Sequence, residues 1–154
     1  MPAPKAQRST EWEEMHAKAS EIGERNDCAV KAVAFAAGIP YERAWELLNK
    51  HGRKTGGGTL PSITEAVMKE LGCELTEVKA YDFISRYPGH HSKALKNVTT
   101  HHPARFPDVW KDGQIYLMSV RGHILAVVNG EVMDWSRRRA LRALRIMRVQ
   151  RPRG

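Results

Sequence analysis

The segment Cys28–Gly38, CAVKAVAFAAG, constrains the fold more than any other stretch of the chain. Alanine is the strongest helix former, and Gly38 followed by Pro40 supplies a stop, so the segment reads as a helix. Asn26 or Asp27 stands where a side-chain oxygen can cap the orphan amides of the first turn. Lys31 is the one polar residue between Cys28 and Ala37. A helix apolar almost all round has to be surrounded by other elements. The remaining chain must wrap it, with Cys28 in its first turn. At 154 residues there is room for one such core.

The flanking segments supply the wrapping. Trp12, Met15, Ala19 and Ile22 recur at helical spacing, which places a helix over Glu11–Ile22 behind a Pro/Ala arm. Pro40 opens a helix from Tyr41 to His51 that packs through Ala44, Trp45, Leu47 and Leu48. Gly52–Thr59 reads as a flexible loop bordering a cleft; it lacks the glycine and lysine order of a phosphate cradle. A third helix spans Pro61–Leu71, with Ile63, Val67, Met68 and Leu71 inward, and Cys73–Val78 reads as a strand. Residues 80–110 offer a short helix near Asp82–Arg86, then His90-His91 and His101-His102 in loops without metal-ligand spacing. Strands follow at Gln114–Val120, Gly122–Asn129 and Glu131–Trp135. Leu144–Val149 alternates with arginine and reads as an edge strand with its charges in water. The expected fold is α+β, with N-terminal helices and a buried Cys-bearing helix packed on a C-terminal antiparallel sheet. Residues 1–23 form an N-terminal arm and helix, 24–149 one domain, and 150–154 a basic tail. No cofactor or metal is implied.

Charge is localised. Ser136–Gly154 holds eight arginines and no acid, against a net charge of +8 for the chain. Arg137, Arg138, Arg139 and Arg142 are therefore candidate contacts to nucleic acid or an acidic protein partner; the alternative is a solvated end that aids solubility. No apolar run is long enough to span a membrane, and no signal peptide is visible. Cys28 and Cys73 do not make a disulfide framework. A soluble protein of a reducing cytoplasm is expected.

Asn129-Gly130 is a strong hairpin signal. Taken as a two-residue turn, it sets Val128 opposite Glu131, Val127 opposite Val132, Leu125 opposite Asp134 and His123 opposite Ser136. Alternation then puts His123, Leu125, Val127, Val132 and Asp134 on one face, with His123 and Asp134 diagonal neighbours. A carboxylate that orients an imidazole is the lower half of a nucleophilic triad. Cys28 suits the upper half, because the positive end of a helix favours thiolate over thiol. Amides of the same turn can stabilise an oxyanion.

Asn26-Asp27-Cys28-Ala29-Val30 at a helix start, and Gly122-His123 opening an apolar strand before Gly130-Glu131-Val132-Met133-Asp134, resemble the papain-like cysteine peptidase superfamily. Within it the likeness is to the C39-like branch. It extends to small papain-like bacteriophage proteins that share an E-R-N-D-C start and a G-R-K loop, here Glu24–Cys28 and Gly52–Lys54. The resemblance implies a papain-like fold and a peptide or protein substrate, with Cys28 as nucleophile, His123 as general base and acid, and Asp134 as orienter. A phage protein of this kind works in the bacterial host cytoplasm or the virion. The superfamily's oxyanion glutamine, six residues before the cysteine, is replaced by Ile22. Asn26, supported by Asp27, or the Cys28 amide alone is left as donor. The alternative expectation is an inactive papain-fold binding protein that uses its arginine-rich end.

Overall fold

The computed structural model describes residues 10–24, 26–54, 56–59, 61–78, 113–120, 122–133 and 143–153. Four helices, α1 (Thr10–Glu21), α2 (Cys28–Ala37), α3 (Tyr41–Lys50) and α4 (Pro61–Glu70), precede and flank a mixed-order antiparallel sheet. Its strands are β1 (Glu74–Glu77), β2 (Ile115–Val120), β3 (His123–Val128), β4 (Glu131–Val132) and β5 (Ala143–Gln150). The fold is α+β.

Burial follows the composition of α2. Val30, Val33 and Ala36 have no exposed surface, and even Lys31 is buried. The helix packs on β3 on one side and on α3 and α4 elsewhere. Leu117, Ala126 and Val149 of the sheet join it in the core with Leu48, Val67 and Met68 of the helices. The N-terminal segment belongs to the same body, since Trp12 and Ala19 of α1 are buried.

The far end of α2 is closed by the chain's last strand. Gly38 turns left-handed at φ 71 and its amide returns to the Ala34 carbonyl. Arg151, just beyond β5, donates from Nε to Ala36 O and from Nη2 to Phe35 O, both across 2.9 Å. A Cβ on Gly38 would stand 2.9 Å from the Arg151 Cζ. The guanidinium therefore lies in space that only glycine leaves open.

The sheet order is β1-β5-β2-β3-β4. Leu144–Val149 was expected at an edge, and here the structure differs: β5 lies between β1 and β2, and the edges are β1 and β4. The sheet is also not wholly C-terminal, because β1 enters it from the chain's first half. The physical reason is that alternating arginine reports which face meets water, perpendicular to the sheet, and carries no information on lateral hydrogen-bonding neighbours. Arg148 is exposed as expected, while Arg145 pairs with Glu65 at 2.6 Å and Glu77 at 3.7 Å.

The hairpin has the register that a two-residue turn dictates, Val128 opposite Glu131 and Val127 opposite Val132. Asn129 at φ 49 and Gly130 at φ 80 both occupy the left-handed region that such a turn needs. The Met133 amide donates to Ala126 O across 2.9 Å, carrying the ladder one residue past β4. Among the described residues no helix is long and apolar enough to cross a membrane.

Candidate active site

Cys28 is the first residue of α2 and is partly exposed. Asp27 before it stands at the capping position but makes no side-chain capping bond. This corrects the expectation of a side-chain cap. The Asp27 carboxylate turns inward, accepting from Tyr41 Oη across 2.8 Å and from Lys31 Nζ across 3.2 Å. A buried carboxylate needs a cation or several donors, and the ammonium one helical turn ahead supplies more than an amide can. Burial, followed by the bond to Asp27, pushes the Tyr41 phenol well above its usual range, which keeps it a donor. Asp27 thus supports the helix from inside, and its side chain does not cap the first turn of α2.

Lys31 is held from three sides. It also donates to His16 Nδ1 across 2.9 Å and lies 4.7 Å from the centre of the Trp12 ring, on which His16 stacks. Through it α1 is tied to the helix that carries the thiol.

His123 opens β3, opposite Val120 of β2. Because β3 packs along α2, the imidazole comes within hydrogen-bonding reach of the Cys28 sulfur. Burial pushes the thiol upward. The His123 hydrogen bond, the Ile124 amide, the charge on His123 and the Ala29 amide act the other way, and the thiol ends below its ordinary 9.0. With an imidazole and two backbone amides against it, the sulfur gives up its proton more readily than burial alone would allow. Two of the three expected catalytic residues are thereby brought together. Asp134 lies outside the described residues, as do Arg137, Arg138, Arg139, Arg142, His90, His91, His101 and His102.

Comparison with protein-family models, curated proteins and solved structures finds no match.

Ile22, at the position of the expected oxyanion glutamine, is 44% exposed and offers no donor. Asn26 is exposed, and its Nδ2 lies beside the glycine-rich loop, 3.5 Å from where a Cβ on Gly58 would sit. The backbone amides of Ile124 and Ala29 are the main-chain donors at the sulfur.

One group of residues next to the site was not anticipated. Gly52–Thr59 was expected to be flexible, yet Arg53 is 3% exposed and forms a buried ion pair with Glu24. Arg53 Nη1 and Nη2 donate to Glu24 Oε1 and Oε2 across 3.0 and 2.8 Å. Trp45 Nε1 adds a bond of 2.8 Å to Oε1, and the Gly56 amide one of 3.1 Å to Oε2. Four donors on one carboxylate, those of Arg53 foremost, hold Glu24 down at about 2 against the cost of burial. No spacing rule links the two residues. The available signal was that the two stretches carrying the resemblance, Glu24–Cys28 and Gly52–Lys54, each contained one of them.

Proposed function

We propose that the protein is a thiol hydrolase of papain-like fold, cleaving a peptide or isopeptide bond through an acyl-enzyme on Cys28. One observation carries the reading: a partly exposed cysteine at the head of the central helix, with the His123 imidazole within hydrogen-bonding reach of its sulfur. The Cys28 thiolate attacks the carbonyl carbon and forms the C–S bond. First-turn amides of α2 receive the developing oxyanion charge. His123 gives its proton to the leaving nitrogen as the C–N bond breaks, leaving a thioester. It then takes a proton from water, whose oxygen attacks the thioester and releases the acid and Cys28. Asp134 is the orienter of the imidazole in this scheme, the role that the resemblance implies for it. The free thiols of Cys28 and Cys73 suit a reducing cytoplasm.

Iodoacetamide at pH 6, followed by mass spectrometry of the Cys28 peptide, tests the reading. Cys28 is expected to react faster than free cysteine, and Cys28→Ala to abolish hydrolysis of any peptide substrate found. Reaction no faster than the free amino acid, or activity surviving in Cys28→Ala, overturns it.

Ile22 favours a second reading, a papain-fold binding protein without catalysis that contacts nucleic acid or an acidic protein through Arg137, Arg138, Arg139 and Arg142. Replacing the first three with Gln should then weaken DNA or RNA retention and flatten its salt dependence. Unchanged retention removes the nucleic-acid version.

A further inference from the structure

The Glu24–Arg53 pair touches the main chain at two places, the turn before Cys28 and the glycine-rich loop. Besides its bond to Glu24, Arg53 Nη2 donates to the backbone carbonyl of Asn26 across 3.2 Å, two residues before Cys28. On the other side, Glu24 Oε2 accepts the amide of Gly56 in the glycine-rich loop. The loop meets the turn again where Gly58 lies against Asn26. Neither Glu24 nor Arg53 has any exposed side-chain surface. A guanidinium paired bidentately with a carboxylate has a narrow geometry, and out of water its bonds are not replaced by solvent. Turn and loop therefore cannot shift independently without breaking charge-assisted bonds.

We propose that Arg53 is a positioning residue for Cys28: by gripping the Asn26 carbonyl and, through Glu24, the Gly56 amide, it fixes the turn that delivers the thiol to His123. What the thiol is positioned for rests on the thiol-hydrolase reading above; the mechanical coupling does not. A sulfur whose approach to the imidazole broadens loses the hydrogen bond that favours its ionisation, and small displacements at a reacting centre have large kinetic effects. Lysine cannot substitute, since a single ammonium lacks the planar fork that serves Glu24 and Asn26 together.

The test is the pH profile of Cys28 alkylation by iodoacetamide in Arg53→Lys and Glu24→Gln, with Glu70→Gln of the exposed Lys50–Glu70 pair as control. In folded Arg53→Lys the profile should move up by about one pH unit and the rate at pH 6 fall about tenfold, while the control keeps the wild-type profile. A folded Arg53→Lys with the wild-type profile overturns the proposal. Native-state hydrogen exchange on the unaltered protein decides the matter even where the variants fail to fold. The Gly56 amide should be protected and open with the same free energy as the Lys31 amide in the first turn of α2; free exchange at Gly56 overturns the coupling. Should wild-type Cys28 be no more reactive than free cysteine, the thiol-hydrolase reading fails alone, and the exchange measurement still judges Arg53.

Discussion

Arg151 Nε donates to the carbonyl oxygen of Ala36 across 2.9 Å, which ties the end of β5 to the last turn of the helix that begins at Cys28. A cation at a helix C-terminus satisfies orphan carbonyls and complements the helix dipole. Arg151→Ala should therefore lower stability by about 1–2 kcal/mol. Gly38→Ala should cost about 1–3 kcal/mol, both from the φ of 71 and from the 2.9 Å approach to Arg151. In the double variant the steric part vanishes, so the two losses should add to less than their sum. Urea denaturation of the four proteins measures this; strict additivity contradicts the close approach.

Glu24 gives the acid limb of stability a defined source. Its folded pKa, about 2, lies below the ordinary 4.5, so the fold favours the ionised form. The contribution is complete above pH 4.5 and is lost as pH falls toward 2. With about 1.4 kcal/mol per unit, on the order of 3 kcal/mol is at stake. Glu24→Gln should remove that much at neutral pH and show a shallower decline between pH 4.5 and 2. Parallel stability curves for the two proteins contradict the assignment.

Removing the imidazole reverses the balance at the thiol. Burial opposes ionisation of Cys28, and the His123 hydrogen bond is the largest influence against it. In His123→Ala the alkylation midpoint should rise above that of the wild type, with the rate at pH 6 falling at least tenfold, since each unit is a factor of ten in thiolate. An unshifted midpoint means the bond to His123 does not set the ionisation.

The hairpin turn should be felt at the thiol as well. Gly130 sits at φ 80, where a β-branched side chain costs about 1–3 kcal/mol. Gly130→Val should destabilise by that amount and lower Cys28 reactivity, because β3 runs from His123 directly into the turn. Asn129→Gly, which accepts the same φ, should change neither by much. Melting temperature and alkylation rate, measured together, check both.

Much of this site could be read before any fold was known. Cys28, Gly38 and the apolar run between them announce a central helix with a cysteine at its head. Asn129-Gly130 sets the pairing of Val127 with Val132. Both signals are local: a periodicity or a turn preference acts within a few residues, so the chain expresses it whatever surrounds it. The side chain of Asp27 was misjudged as a cap because its better partners, Tyr41 and Lys31, belong to the buried interior, where a carboxylate's need for a cation outweighs a helix's need for a cap.

Sequence alone determined that α2 must be enclosed, that its first residue is a thiol, and that a tight hairpin follows His123. Only the tertiary structure decided that β5 runs inside the sheet, that Arg53 meets Glu24, and that Cys28 is ionised more readily than an ordinary thiol. Those facts depend on lateral strand neighbours and on charges brought together from distant segments. Burial by itself raises a thiol's pKa. The sign at Cys28 changes because packing of β3 on α2 delivers an imidazole and a backbone amide to the sulfur.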